Sequence, residues 1–445
     1  MKLLTVVSSM NPEAGGIAQG IRNNVRFWEE AGFTNTIVTM DAPTEPYLLK
    51  HNIIALGPTS NVWGYSKKFR NWVYNSINDY DVIVVHGLWL YNNYILCKAI
   101  KAFKKAGKPT PKLFIMPHGM LDPYFQKSKS RVLKAVRNTV YWHFIEKNLI
   151  KAADAILFTC EEEMKLAATT FTDYKPKKVY NIGFGINTPP QFAVEHKTAF
   201  ELLSPQLQKE FPALGNHPYI LFLGRIHPKK GVDLLIDAYA TIKEKFWNEG
   251  NKLPKLVIAG PNSDSFYTDI LKLKINNNPS LADTIFFTGM LQGDSKWGAL
   301  NGCEAFILPS HQENFGIAIV EAMACGKPVL ISNKVNIWNE IELGKAGIVE
   351  NDDLNGTINL LTKWLSLNAD EKNEMGQKAY DTYQSKFTAK NTPKIFTLPI
   401  DAARSKVREI INQLPKDRRV PVVENWRQLP DGHIEFTVRQ LLADR

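Results

Sequence analysis

Glu313 and Glu321 stand eight positions apart in the segment Pro309–Pro328, which reads Pro-Ser-His-Gln-Glu-Asn-Phe-Gly-Ile-Ala-Ile-Val-Glu-Ala-Met-Ala-Cys-Gly-Lys-Pro. Asn314, Phe315 and Gly316 fall between them, followed by an apolar run. The pattern predicts a strand, then a loop presenting Glu313, then a helix from near Gly316 that carries Glu321. The unpaired N–H groups of such a helix start attract anions. A ligand with a phosphate between two polyhydroxylated groups, such as a nucleotide sugar, would engage all three features. On spacing alone the pair also fits an acid/base couple. Its neighbours favour two hydroxyl-binding carboxylates, one for a sugar and one for a ribose, with the catalytic charge elsewhere.

Gly224-Arg225-Ile226-His227-Pro228-Lys229-Lys230-Gly231 is a candidate source of that charge. The planar fork of Arg225 can hold two phosphate oxygens, and Lys230 adds a point charge. Read alone, the segment fits a solvated basic loop equally well. Its place after a strand of the same expected sheet favours a ligand, because open α/β sheets bind at the carboxyl ends of their strands.

Three further segments bear on the site. Asn11–Ala18 contains Gly15-Gly16, whose backbone can approach an anion closely, although a tight strand-to-helix turn needs glycine anyway. His86-Gly87 and His118-Gly119 each end an apolar run. One such histidine reads as a satisfied polar residue; two at one sheet edge favour a cleft, where an imidazole can bond a sugar hydroxyl or a leaving phosphate. Asp79-Tyr80-Asp81 has an Asp-x-Asp form suited to a divalent cation. It precedes an apolar run and so falls at the amino end, the wrong end for a ligand.

These residues need a scaffold. Leu3–Val7, Thr36–Thr39, Val82–Val85, Leu113–Met116 and Ala155–Phe158 read as buried strands, with helices at Gly20–Ala31 and Asn92–Lys105. The second half repeats the alternation. Strands are expected at Tyr219–Leu223, Lys255–Ala259, Thr284–Thr288, Ala305–Leu308 and Pro328–Ile331. Helices are expected at Val232–Lys245, Phe266–Ile275, Gly316–Ala324 and Leu354–Leu367. This is the signature of βαβ units and parallel sheets. The expected organisation is a first domain over 1–190, a linker with a short helix (Lys197–Phe211) over 191–217, a second domain over 218–387, and a tail over 388–445. In the tail, Ala402–Leu414 reads as a helix, and Val420–Trp426 and His433–Val438 as strands around Pro430-Asp431-Gly432.

The chain has 445 residues and a net charge of +10. Residues 1–190 hold 24 Lys+Arg against 14 Asp+Glu, and residues 191–445 hold 30 of each. The whole excess sits in the first half, which favours an anionic partner there. Aromatic and cationic residues interleave at Trp63–Tyr74 and again over Lys127–Lys151. Such stretches suit a headgroup interface, or a core stripe with a solvated basic face. No module for nucleic acid is recognisable, so none is expected as a partner. Cys97, Cys160, Cys303 and Cys325 show no metal spacing and read as buried thiols in a reducing cytoplasm. The opening Met-Lys-Leu-Leu-Thr-Val-Val reads as a first buried strand, because Ser8-Ser9 interrupts it too early for a secretory segment.

Taken together, Gly15-Gly16, His118-Gly119, Gly224-Arg225 through Lys230-Gly231, and Glu313 through Glu321 resemble the retaining glycosyltransferases of family 4. The resemblance covers about residues 1–385, and Pro117–Tyr124 is similar to bacterial members that build surface polysaccharides. It implies the GT-B fold: α/β, two Rossmann-like domains with parallel sheets facing across a cleft. The atypical C-terminal tail departs from it, apart from a helix around Ala402–Leu414 that would cross back to the first domain. By the same resemblance Arg225 and Lys230 hold the donor diphosphate, Glu321 the ribose, and Glu313 the transferred sugar. Asn314, Phe315 and Gly316 offer backbone groups, His118 lies near the reaction centre, and Gly15 and Gly16 let the first loop close over the phosphates. No metal or other cofactor is implied.

The expected function is therefore transfer of a sugar from a nucleoside-diphosphate donor to a glycan or lipid-linked acceptor, with retention, in surface-polysaccharide synthesis. The basic first half suggests a cytoplasmic protein attached to the inner face of the membrane. A sugar-nucleotide epimerase or a phosphorylase would share the architecture. So would a non-catalytic membrane- or partner-binding protein, although Arg225, Lys230, Glu313 and Glu321 all being present argues against decay.

Overall fold

Runs of aliphatic and β-branched residues become strands buried on both faces, as parallel sheets require. The computed structural model describes residues 1–12, 15–30, 32–48, 52–61, 63–128, 131–191, 194–202, 218–248, 253–388, 394–412, 419–428 and 433–442. The chain divides into two compact units, Met1–Gly185 and Ile186–Arg445.

The first unit contains Lys2–Val7 (β1), Thr34–Thr39 (β2), Ile53–Ala55 (β3), Val82–His86 (β4), Lys112–Met116 (β5), Ala155–Phe158 (β6) and Val179–Asn181 (β7). They form one sheet in the order β3-β2-β1-β4-β5-β6-β7, and every pairing is parallel. Successive residues serve opposite faces. Leu4 and Val6 join one core with Ile83, Val85 and Ile115. Val7 and Ile37 join another with Ala18, Ile21 and Val25 of the helix Gly16–Glu30. The winding reverses between β1 and β4, which opens a crevice beyond their carboxyl ends. Asp81 lies at the other end, where its carboxylate accepts the Lys2 N–H at 2.7 Å.

The second unit holds Tyr219–Leu223 (β8), Lys255–Ala259 (β9), Ile285–Gly289 (β10), Ala305–Leu308 (β11), Val329–Ser332 (β12) and Gly347–Glu350 (β13). Their order is β10-β9-β8-β11-β12-β13, again all parallel. Here the winding reverses between β8 and β11. Both expected Rossmann-like sheets are therefore present. In these two sheets the strands absent from the sequence reading, β3, β7 and β13, are three or four residues long and sit at the sheet edges; the tail strand Lys394–Pro399 is absent from it too. Helices Gly293–Gly302, Trp338–Leu343 and Ala369–Thr382 were likewise not expected.

The tail forms a third sheet from Lys394–Pro399 (β14), Arg419–Gln428 (β15) and His433–Leu442 (β16), antiparallel in the order β14-β16-β15. The helix Ile400–Asn412 lays Ala403 and Val407 against Phe436 and Val438. The turn at Pro430-Asp431-Gly432 lies outside the described residues, as does most of the helix expected at Lys197–Phe211, which is described as Val194–Leu202. Cys97, Cys160 and Cys303 are buried, but Cys325 is only partly so, because it ends the helix Ile317–Ala324 beside an open cavity. Among the described residues no helix is long and apolar enough to cross a membrane.

Candidate functional site

The loops after β8 and β11 are tied together at the winding reversal. The first, Gly224–Gly231, includes a short 3₁₀ turn, Pro228–Lys230. His227 caps it, accepting the Lys229 N–H at 3.0 Å. Gly231 ends it in the left-handed region at φ 68°, where a Cβ would meet the Pro309 carbonyl oxygen at 2.2 Å. Only glycine permits that approach. The Lys229 carbonyl accepts both the His311 N–H at 2.9 Å and the Ser310 hydroxyl at 3.0 Å. The Lys229 ammonium donates to Gln312 Oε1 at 2.6 Å.

Lys230 closes the join. It is buried, and its ammonium forms an ion pair with Glu313. Burial, Lys229 and Arg225 push its pKa well below the usual lysine range, while the Glu313 carboxylate opposes that push. Glu313 is fixed from a second side: its N–H donates to Lys334 at 3.0 Å and its carbonyl accepts the Asn336 N–H at 2.9 Å. Asn336 also reaches Asn314 Oδ1 at 3.3 Å.

Gly316 caps the helix Ile317–Ala324 at φ 75°, and a Cβ there would meet Ile319 Cδ1 at 2.5 Å. The helix buries Glu321, whose Oε1 accepts from Lys296 at 2.7 Å. Lys296 also lies over the Trp297 ring, 4.2 Å from its centroid. Arg225 shares the first loop but is exposed. Phe315 turns inward against Phe387, with centroids 5.7 Å apart, so only its backbone faces the loop chemistry.

The first unit places the histidines at the ends of β4 and β5. His86 Nδ1 lies 2.8 Å from His118 Nε2, and the rings stack with centroids 5.1 Å apart. Burial holds His118 down at about 4 and pushes His86 well below the usual imidazole value, so both are neutral at ordinary pH. His86 Nε2 is buried with no partner among the described residues. A buried lone pair is cheaper to leave unmatched than a buried N–H. That favours a proton on His86 Nδ1, donated to His118 Nε2.

Buried carboxylates hold the surrounding backbone. His118 has φ 52°, and the next residue, Gly119, donates its N–H to Glu163 Oε1 at 2.6 Å. Glu163 Oε2 accepts the Thr159 N–H and hydroxyl at 2.8 and 2.6 Å. Beyond His86, Trp89 stands at φ 68° and donates its N–H to Glu146 Oε1 at 2.7 Å. Burial pushes Glu146 up to about 8. At the end of β1, Asp41 accepts from Ser9 Oγ at 2.6 Å and the Met10 N–H at 2.7 Å. Gly15 follows at φ 105° and Gly16 starts the helix Gly16–Glu30.

The structure thus brings Lys230, Glu313, Asn314 and Gly316 together, keeps Arg225 in the same loop pair, and puts Glu321 one helix length away. His118, Gly15 and Gly16 belong to the first unit. His86 is named beside His118 in the sequence reading, whereas Lys229, Gln312, Lys296, Asn336, Glu146 and Glu163 escaped it. Of these only Lys229 and Gln312 carried a signal, by lying inside motifs already singled out. A 780 Å³ cavity in the second unit opens at the opposite end of the sheet, among Cys303, Glu304, Lys327 and Pro328. It precedes β11 and β12 and touches none of the expected site residues.

The family model described as glycosyl transferases group 1 matches residues 204–382. This chain is similar to group 1 glycosyltransferases over that stretch, which lies within the second unit. Its curated relatives include a D-inositol 3-phosphate glycosyltransferase of Gordonia bronchialis, 27% identical over 165 residues, which are 37% of this chain and 36% of that protein. The capsular polysaccharide biosynthesis glycosyltransferase CapM of Staphylococcus aureus is 25% identical over 244 residues, 53% of this chain and 58% of CapM. These matches span about a third to somewhat over half of each relative's length. Among solved structures, Anabaena HepE in complex with UDP-glucose superposes with a TM-score of 0.62 at 16% identity, covering 93% of this chain and all of that one. Across its two units the fold is of the GT-B kind that the motifs implied.

Proposed function

We propose that this protein transfers a sugar from a nucleoside-diphosphate donor to a glycan or lipid-linked acceptor, with retention of configuration, in the building of a surface polysaccharide. The observation that carries the reading is the pair of interlocked loops in which Lys230 meets Glu313. One buried ammonium and one carboxylate sit side by side at the carboxyl ends of β8 and β11. A diphosphate needs the first and sugar hydroxyls need the second. A diphosphate that engages Lys230 competes with Glu313 for it, turning the carboxylate toward the sugar. Arg225, exposed in the same loop, supplies a bidentate phosphate contact. The HepE complex with UDP-glucose supports a nucleotide sugar as donor, and CapM supports a polysaccharide as product.

In the proposed reaction an acceptor hydroxyl attacks the anomeric carbon as the bond to the diphosphate oxygen breaks, and the leaving phosphate takes the hydroxyl proton. Negative charge grows on the diphosphate, where Arg225 and Lys230 stabilise it without a metal. His118, neutral and oriented by His86, is suited to bond a sugar hydroxyl. The acceptor is assigned to the first unit, which carries the whole net positive charge. A thermal-shift screen of UDP, GDP and ADP sugars tests the donor, since a ligand bound by the folded state raises its melting temperature. Glu313→Ala should abolish product formation; unchanged product would refute the site.

A further inference from the structure

The helix Val132–Tyr141, continued through a π-turn at Trp142–Glu146, is inside out. Its buried side carries Asn138 and Trp142. Its outer side carries Val132, Leu133, Val136, Val140 and Phe144, which are 58, 86, 60, 51 and 77% exposed. Steps of four residues place 132, 136, 140 and 144 along one stripe. A soluble helix normally turns such a stripe toward the core. Lys134 and Arg137 are exposed along the same helix. Over Lys127–Lys151 there are seven Lys and Arg and one acid, Glu146. Glu146 is buried and turned inward to the Trp89 N–H.

We infer that this face docks on an anionic lipid surface. The apolar stripe enters the acyl boundary while the flanking cations meet lipid phosphates, the two contributions that bind interfacial helices. A second copy of the chain fits less well. A two-fold contact would set Lys134 and Arg137 of both copies against each other without an exposed acid on the segment to match them. The inference extends the proposed function, since it brings the protein to a lipid-linked acceptor, but the docking itself needs no turnover.

The test is co-sedimentation of the full chain with phosphatidylglycerol–phosphatidylcholine vesicles and with phosphatidylcholine alone, at low and high salt. The chain should bind the anionic vesicles, and salt should weaken binding. Val136→Glu/Phe144→Glu should lower binding by about tenfold or more, and Lys134→Glu/Arg137→Glu should remove the salt dependence. All four side chains are exposed, so circular dichroism and melting temperature should match the parent. Equal binding by either double variant would overturn the inference, as would no binding at low salt. So would a concentration-dependent dimer, seen by sedimentation velocity, that Val136→Glu/Phe144→Glu dissolves. Nucleotide-sugar thermal shifts measured on the same variants keep the two readings separate. Vesicle binding without any donor shift sinks the proposed function alone, and donor shifts without vesicle binding sink the docking alone.

Discussion

His86 and His118 share one hydrogen bond, 2.8 Å long, across two stacked imidazoles. A single proton lies between the rings, and burial penalises charge on either one. Stability should therefore depend on pH. In the unfolded chain both histidines take up protons below about 6.5, whereas in the fold His118 resists until about 4 and His86 is likewise held well below the usual imidazole value. The unfolded state binds more protons in that window, so stability rises with pH from about 4 to 6.5. Each histidine contributes up to about 1.4 kcal/mol per pH unit. Urea midpoints across this range should show the slope, and His86→Phe should flatten it. The same variant leaves His118 Nε2 without its donor and should cost about 1–3 kcal/mol.

Glu146 acts in the opposite sense. Its carboxyl titrates near 4.5 when unfolded and at about 8 in the fold. The folded state holds the extra proton between those values, so this contribution is full below about 4.5 and is lost as pH rises to about 8. Glu146→Gln keeps an oxygen for the Trp89 N–H and removes the titration. The variant should be more stable than the parent at pH values near 8 and should lack the decline. A parallel decline in both proteins would show that Glu146 is not the group responsible.

Lys230→Ala strands the Glu313 carboxylate beside an apolar gap. Neither side chain is wholly buried, so the expected loss is about 2–3 kcal/mol, below that of a fully buried pair. Activity with any accepted donor should fall well over tenfold. Lys230→Ala/Glu313→Ala should recover part of the stability and none of the activity. Recovery of activity would mean that Lys230 serves the fold alone.

Two glycines should part company. Gly231→Ala meets the Pro309 carbonyl at 2.2 Å as well as a left-handed backbone, which pries the two loops apart. It should lose both stability and donor binding. Gly15→Ala has open space around the added methyl, so only its φ of 105° is strained. It should cost about 1–3 kcal/mol with the interlocked loops of the second unit intact, so donor binding should fall less than in Gly231→Ala. Equal loss of donor binding in both would deny Gly231 its coupling role.

Much of this protein is legible in one dimension. Ten buried strands announce themselves as aliphatic runs because a parallel strand is covered on both faces, and no alternation with polar residues breaks the run. The turn glycines and the cations after β8 are equally visible, since left-handed backbone and phosphate recognition each demand particular residue types. Short edge strands such as Ile53–Ala55 hide because three residues carry no pattern, and Ala369–Thr382 hides because few of its residues face the core. Partnership is invisible altogether. Lys230 and Glu313 are 83 positions apart, and His86 and His118 are 32 apart; nothing in either stretch says that they touch. The outward turn of Val136 and Phe144 is likewise a matter of which side of the helix the core already occupies. Residue types carry local backbone preference and burial, which act over a few neighbours. Ion pairs, neutral imidazoles and a raised carboxyl arise only when packing excludes water around groups that distant strands deliver to one edge.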